Sequence, residues 1–217
     1  MKFATKKELK SKFDLIYKDK KSPWRFDITD HLYVSKKEML TPYIEESKSI
    51  LDLGCGEGNF LESMIGLSQN KSLVGVDIAE NAILLAQEKD FYNELYSTYI
   101  DDIDTYSQTI QKYDLILLNE VLYYVDNYID VLNNIFNVAN RYVFISVAMG
   151  NTFFDTKDTA KIENLFREVN FILKEKRVVN LSFKFNIPIR YLKFLYKALG
   201  RPLKQTHKYI YVYEKIG

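Results

Sequence analysis

The chain has 217 residues, 47% of them hydrophobic, which suits one α/β domain with room for a buried core. Its 30 basic and 29 acidic residues leave a net charge of +1, which argues against a protein built to coat nucleic acid. A single cysteine, Cys55, excludes a disulfide framework and a cysteine-based zinc site, and no run approaches the roughly eighteen apolar residues of a membrane span.

Residues 5–18 place Leu9, Phe13 and Ile16 at helical spacing on a charged segment, the pattern of a covering helix. The basic start lacks the continuous apolar stretch of a secretion signal, so the expected location is the cytoplasm. Residues 22–33, SPWRFDITDHLY, follow neither a helical nor an alternating pattern. They hold the only tryptophan, Trp24, and one of the two histidines, His31. Ser35 and Glu38 stand at capping-box spacing and mark the expected start of a helix carrying Met39, Leu40, Tyr43 and Ile44.

Residues 50–60, ILDLGCGEGNF, run from an apolar strand into Gly54, Gly56 and Gly58 and then into a helical pattern through Phe60, Leu61, Met64 and Ile65. Strand, glycine turn and helix together let a ligand touch bare backbone at the carboxyl end of a parallel strand. A side chain there would block both the turn and the approach. Residues 72–77 form a second buried strand ending on Asp77, about twenty residues past the glycines. At that distance a strand-end acid meets a ribose held by the first turn.

Ile83 and Ala86 mark the next helix, and Thr98 to Ile100 is the expected third strand, ending in Asp101 and Asp102. A fourth strand, 114–118, runs into Asn119 and Glu120. Leu132, Ile135, Phe136 and Ala139 define a helix, 142–148 a fifth strand, and Ile162, Leu165, Phe166 and Val169 another helix. The rhythm then changes to alternation over 179–185, a strand with one wet face, and 207–213 is a final strand. Between them, 189–199 reads as a helix with Arg190, Lys193 and Lys197 on one stripe. Such a stripe binds a phosphate, lies on an acidic membrane surface, or is only a solvated face, and the three readings stand open. Five βα units closed by two strands make one domain.

The segments LDLGCGEGNF, LVGVD, IDDI and YDLILLNEVLYYV, within roughly residues 48–148, resemble the class I S-adenosylmethionine-dependent methyltransferases. The resemblance implies a Rossmann-like three-layer α-β-α sandwich with a seven-stranded, mostly parallel sheet and an antiparallel last strand. It divides the single domain 1–217 into a lid segment over 1–46, a cofactor core over 48–148 and a substrate-side insertion over 185–206. It implies that Asp52, Gly54, Cys55, Gly56 and Gly58 make the loop under the amino-acid part of the cofactor. Asp77, with Ile78 beside it, would accept hydrogen bonds from both ribose hydroxyls. Asp102 would meet the adenine amino group while Ile103 packs on the ring, with Asp101 the rival acid. Asn119 and Glu120 fall beside the methyl sulfonium.

Pro23-Trp24, Tyr33 and Lys36-Lys37, together with EVLYYV, look like the nodulation-type chitooligosaccharide N-methyltransferases and related sugar and small-molecule enzymes. In that group the tryptophan-to-tyrosine stretch folds over the cofactor, which adds Trp24 and Tyr33 to the cofactor-binding set. Val34 stands where that group usually has glutamate. Tyr123, Tyr124, Arg190 and Lys193 fall on the acceptor side.

A sulfonium methyl is already activated, so its transfer needs alignment, desolvation and a nucleophile with an available lone pair. An amine needs little beyond its neutral form, whereas a hydroxyl needs a base within hydrogen-bond reach, for which Glu120 and His31 are the candidates. The expected function is a methyltransferase that converts S-adenosylmethionine to S-adenosylhomocysteine and acts on a small molecule or glycan, a sugar amine or hydroxyl leading. No metal, nucleic-acid partner or stable membrane insertion is expected. The alternatives are methylation of RNA or protein and a cofactor-binding protein without turnover. Near-neutral charge and the lack of an Asn-Pro-Pro-Tyr type motif after the fourth strand speak against RNA.

Overall fold

The apolar runs pair into one sheet, and both of its faces are covered. The computed structural model describes residues 5–19, 23–24, 27–67, 70–106, 112–125, 127–149, 156–180 and 207–217. Strands β1 (Ser49–Leu53), β2 (Ser72–Asp77), β3 (Glu94–Ser97), β4 (Tyr113–Asn119), β5 (Ala139–Met149), β6 (Phe171–Asn180) and β7 (His207–Lys215) form a seven-stranded sheet in the order β3-β2-β1-β4-β5-β7-β6. The pairs from β3 through β5 are parallel, and β7 lies antiparallel between β5 and β6. The helices are α1 (Lys6–Asp19), α2 (His31–Glu46), α3 (Asn59–Glu62), α4 (Glu80–Gln87), α5 (Ile103–Tyr106), α6 (Tyr128–Val138) and α7 (Thr156–Glu168).

Successive strand side chains point to opposite faces, and the buried residues sort accordingly. Leu51, Leu53, Ile116 and Leu118 join the cluster under α6 and α7, around Leu132, Ile135 and Phe166. Ile50, Leu115, Leu117 and Phe144 join the cluster under α2, around Met39, Leu40 and Ile44. A buried sheet with helices on both sides is the three-layer sandwich that the near-continuous apolar runs require. Strand order reverses between β1 and β4, which opens a crevice at their carboxyl ends.

Several boundaries differ from the sequence reading. The helix expected from Ser35 starts at His31, because Asp30 caps it: its carboxylate accepts from the Leu32 N–H at 2.9 Å. Ser35 is buried inside the helix. The third strand is Glu94–Ser97 rather than 98–100, since pairing with Val74 to Asp77 of β2 fixes its register. The helix expected after the glycines is four residues long and gives way to a 3-10 turn at Ile65–Leu67. There the Ser63 hydroxyl donates to the Phe60 carbonyl at 2.5 Å and competes for the backbone. Ala139 opens β5 instead of closing α6.

The alternation over 179–185 meets β6 only at its last two residues, and β6 begins at Phe171. As an edge strand it carries Lys174, Glu175, Lys176 and Arg177, charges that hide an alternating pattern while they protect an open edge. The 189–199 helix, with Arg190 and Lys193, and the whole 185–206 segment lie outside the described residues. Among the described residues no helix is long and apolar enough to cross a membrane.

Candidate cofactor and acceptor site

The site grows from the end of β1. Gly54 (φ +75°) and Gly56 (φ +57°) both turn left-handed, a conformation that disfavours any side chain. A Cβ on Gly54 would also stand 2.6 Å from Val121, and one on Gly56 would stand 2.6 Å from the Tyr17 hydroxyl. The loop is fastened to its neighbour strand: Gly54 and Cys55 N–H both donate to the Val76 carbonyl, at 2.7 and 3.0 Å. Gly56 N–H donates to Asp77 Oδ2 at 2.9 Å, and Ala79 N–H donates to Oδ1 at 2.9 Å. Burial drives the Asp77 carboxyl up to about 6, against the pull of those two amides.

Asp52 lies behind the loop, where its carboxylate accepts from the Tyr92 hydroxyl at 2.8 Å. Burial pushes it to about 7, partly opposed by that bond. Cys55 is buried beside both acids, and its thiol is pushed well above the usual range by burial first and by Asp77 and Asp52 next. It is a structural thiol, not a nucleophile.

A cavity of about 500 Å³ opens along the carboxyl ends of β1, β2 and β4, within the roughly 300–1,000 Å³ typical of small-molecule sites. Gly54, Cys55, Gly56, Asp77 and Ile78 form one side of its wall, and Asn119, Glu120, Tyr123 and Tyr124 another. Trp24 is half-exposed at the rim. The remaining expected residues stand elsewhere. Gly58 caps α3, and Tyr33 is buried edge-on against Phe60 with ring centroids 6.3 Å apart. His31 is exposed at the start of α2, and Leu32 faces the cavity in its place. Asp102 accepts from the Thr98 and Thr105 hydroxyls at 2.7 and 2.8 Å, next to Ile103 at the start of α5. Those bonds hold its carboxyl below the ordinary range. Asp101 and Ile100 occupy the wall instead.

Helix α1 lies across this cavity. Lys6 pairs with Asp101 at one end, and Asp14 meets Asn81 at the start of α4, with the Asn81 side chain donating to the Asp14 carbonyl at 3.1 Å. Tyr17 reaches over Gly56 and accepts a bond from Trp24 Nε1 at 2.8 Å. Phe13 packs edge-on against Tyr124, with ring centroids 5.0 Å apart.

At the other end, Glu120 follows β4 with φ +63°, a strained value for a side-chain-bearing residue. Four donors surround its carboxylate. Lys36 Nζ and Ser146 Oγ reach Oε1 at 2.9 and 2.5 Å, the Tyr123 hydroxyl reaches Oε2 at 3.0 Å, and Lys208 Nζ also bonds Oε2. Lys36 additionally donates to Asn119 Oδ1 at 2.7 Å. Burial would raise the Glu120 pKa, but the two lysines outweigh it and bring the carboxyl down to about 2. The base role expected for Glu120 meets an obstacle here. A carboxylate offers about four lone-pair sites, and all are taken.

Sequence reading missed Tyr17, Ser146 and the central places of Lys36 and Lys208. One signal was present: Lys36 stands three residues after Tyr33 and four before Leu40, on the apolar stripe of α2. A lysine in that stripe is buried and paired. Lys208 is the second residue of an ordinary-looking strand and carries no such mark.

The comparisons fit this geometry. Residues 26–182 match the family described as methyltransferase domain. The chain belongs to that family. Class I methyltransferases use S-adenosylmethionine, and the residues present suit it: a cradle that a Cβ would fill, a buried strand-end carboxylate and a cavity of matching size. Malonyl-[acyl-carrier protein] O-methyltransferase 2 of Ilyobacter polytropus is 27% identical over 151 residues, 65% of this chain and 58% of that protein. The chain thus spans a little over half the length of that curated relative.

Among solved structures, the Synechocystis magnesium protoporphyrin IX methyltransferase with bound S-adenosylmethionine matches at TM-score 0.64 and 15% identity, covering 99% of this chain and 100% of the other. The N-methyltransferase NodS of Bradyrhizobium japonicum, bound to S-adenosylhomocysteine, matches at TM-score 0.62 and 14% identity, covering 96% and 98%. At such identities the likeness is one of fold. The nodulation-type resemblance in this methyltransferase-family chain is therefore structural.

Proposed function

We propose that this chain transfers a methyl group from S-adenosylmethionine to a small-molecule or glycan acceptor. The observation that carries the reading is a single cavity with two chemically different ends. One has bare backbone and a buried carboxylate, Asp77, suited to the cofactor. The other has Glu120 in its lysine cage, with Tyr123 and Tyr124. When bound, the cofactor supplies an activated methyl. The chain's own residues hold both partners in line and keep water out, the alignment that methyl transfer needs.

Asp77 holds the ribose hydroxyls, and Asp101, with Ile100, stands where the adenine side would close. Tyr17, on α1, and Trp24, beyond the end of that helix, cover the cofactor. The rings of Phe13, Trp24, Tyr123 and Tyr124 give the acceptor an apolar, aromatic entrance, which suits a ringed molecule such as a sugar. The malonyl-[acyl-carrier protein] relative, an O-methyltransferase by name, adds weight to an oxygen acceptor.

Calorimetry with S-adenosylhomocysteine tests the cofactor half. Micromolar affinity is expected, and Asp77→Ala should weaken it about ten- to a hundredfold, equivalent to about 1.4–2.8 kcal/mol. Preference for a nicotinamide dinucleotide would defeat the reading. A methyl-transfer screen across sugars, amines, carboxylic acids and RNA tests the acceptor half, and turnover of RNA alone would move the chain to a different class.

A further inference from the structure

Resting on the methyl-transfer reading above, the geometry points to an acceptor that presents a carboxylate, held by Lys208 and methylated on oxygen without a base. Three observations lead there. The first is the charge balance around Glu120. Lys36 and Lys208 both bond its carboxylate, so two cations share one anion. Asp30 pulls on Lys36 more weakly, from the cap of α2. A partly buried cluster with surplus positive charge stabilises an arriving anion, since a buried charge without a partner is costly.

The second is the geometry of the ammonium groups. An ammonium has three N–H donors. Lys36 spends two on Asn119 and Glu120, and its side chain is only 5% exposed, behind the wall. Lys208 stands in the wall itself, spends one on Glu120, and has two with no acceptor among the described residues. Its side chain is 14% exposed and lies over the Tyr123 ring, 5.8 Å from the centroid. A second oxyacid can therefore reach Lys208 without displacing Glu120.

The third is the state of every carboxylate that could take a proton. Glu120 is saturated by four donors. Asp77 is bonded by two backbone amides, Glu57 by Asn59, Asp101 by Lys6 and Asp130 by Asn127. His31 lies outside the wall. A hydroxyl acceptor held at Lys208 would need a donor released from Glu120, the carboxylate beside it. A carboxylate needs none. Lys208 holds one of its oxygens while the other attacks the methyl carbon. A C–O bond forms, the C–S bond breaks, and its electron pair stays on sulfur as a neutral thioether. The product is a neutral ester with no proton to place. Losing its charge, it also loses its hold on Lys208 and leaves readily.

The test uses protein saturated with S-adenosylhomocysteine and titrates matched pairs: benzoate against benzamide, phenylacetate against benzyl alcohol and benzylamine. Binding of the homocysteine product is read first, and its failure would count against the methyltransferase reading rather than this one. Carboxylates should bind at least tenfold tighter than their neutral or cationic partners. Lys208→Met should erase that preference while leaving the affinity for S-adenosylhomocysteine within twofold, and Lys208→Arg, which keeps the cation, should retain it. Glu120→Gln should tighten the carboxylates, because it removes the competing anion. Equal binding of acids and amides, no acid binding at millimolar concentration, or an acid preference that survives Lys208→Met would each overturn the proposal.

Discussion

Two carboxylates at one sheet edge are driven in opposite directions, and the cause is the partner each has. Asp77 meets only backbone amides, so burial wins and its carboxyl rises to about 6. Glu120 meets two ammonium groups, so it falls to about 2 despite burial. Asp77 therefore takes up a proton on folding between its ordinary 3.8 and about 6, and its contribution to stability declines as pH rises through that window. Glu120 contributes stability above its ordinary 4.5, lost as pH falls towards 2. In the proposed reading, ribose hydroxyls would donate to the ionised form of Asp77. Affinity for S-adenosylhomocysteine is thus expected to fall about tenfold per pH unit below about 6, and Asp77→Asn should flatten the profile, as calorimetry between pH 5 and 8 will show. Lys36→Met should cost about 3 kcal/mol in urea unfolding, because it leaves Glu120 with half its compensation. Adding Glu120→Gln to it should recover part of that loss.

At the scale of elements, α1 and the start of α2 decide how the cavity is closed. Among the described residues, α1 is held by the Lys6–Asp101 ion pair, the Asp14–Asn81 dock and the packing of Phe13 and Tyr17 on Ala79 and Ala82, with Trp24 against Phe13. A cover packed in its own small cluster, apart from the two main cores, can open without unfolding the sheet. Trp24 is the only tryptophan, and its indole N–H bonds Tyr17 directly over the glycine loop. Cofactor binding should therefore shift or quench tryptophan emission and protect residues 22–33 from proteolysis. Tyr17→Phe removes the indole's acceptor and should move the emission of the free protein before any ligand is added. An emission spectrum that ignores both changes would leave α1 as packing alone.

Across the whole molecule, stability rests on the sheet's insertion of β7 between β5 and β6, which places Tyr213 against Phe166 with ring centroids 3.8 Å apart. Tyr213→Ala should cost about 3–5 kcal/mol, as large-to-small core changes do. Its hydroxyl is buried without a hydrogen-bond partner among the described residues, so Tyr213→Phe should raise stability by about 1 kcal/mol. Leu84→Ala, at an exposed position of α4, should change urea unfolding by less than about 0.5 kcal/mol.

What the sequence determined by itself was whatever neighbours along the chain decide. Apolar runs of strand length, helical spacing in α6 and α7, three glycines after β1 and an acid at the end of β2 are local patterns, and each reappears as an element of the sandwich. Tertiary structure decided the rest. Pairing with β2 moved the third strand, and Asp30 rather than Ser35 capped α2. It also assembled the Glu120 end of the cavity. Lys36 lies 84 residues before Glu120 and Lys208 lies 88 after it, so no spacing rule joins them. Charge has no period along a chain. Only when β4, β7 and α2 meet at one sheet edge do two lysines become the partners of one carboxylate, and burial there turns a surface pairing into a site.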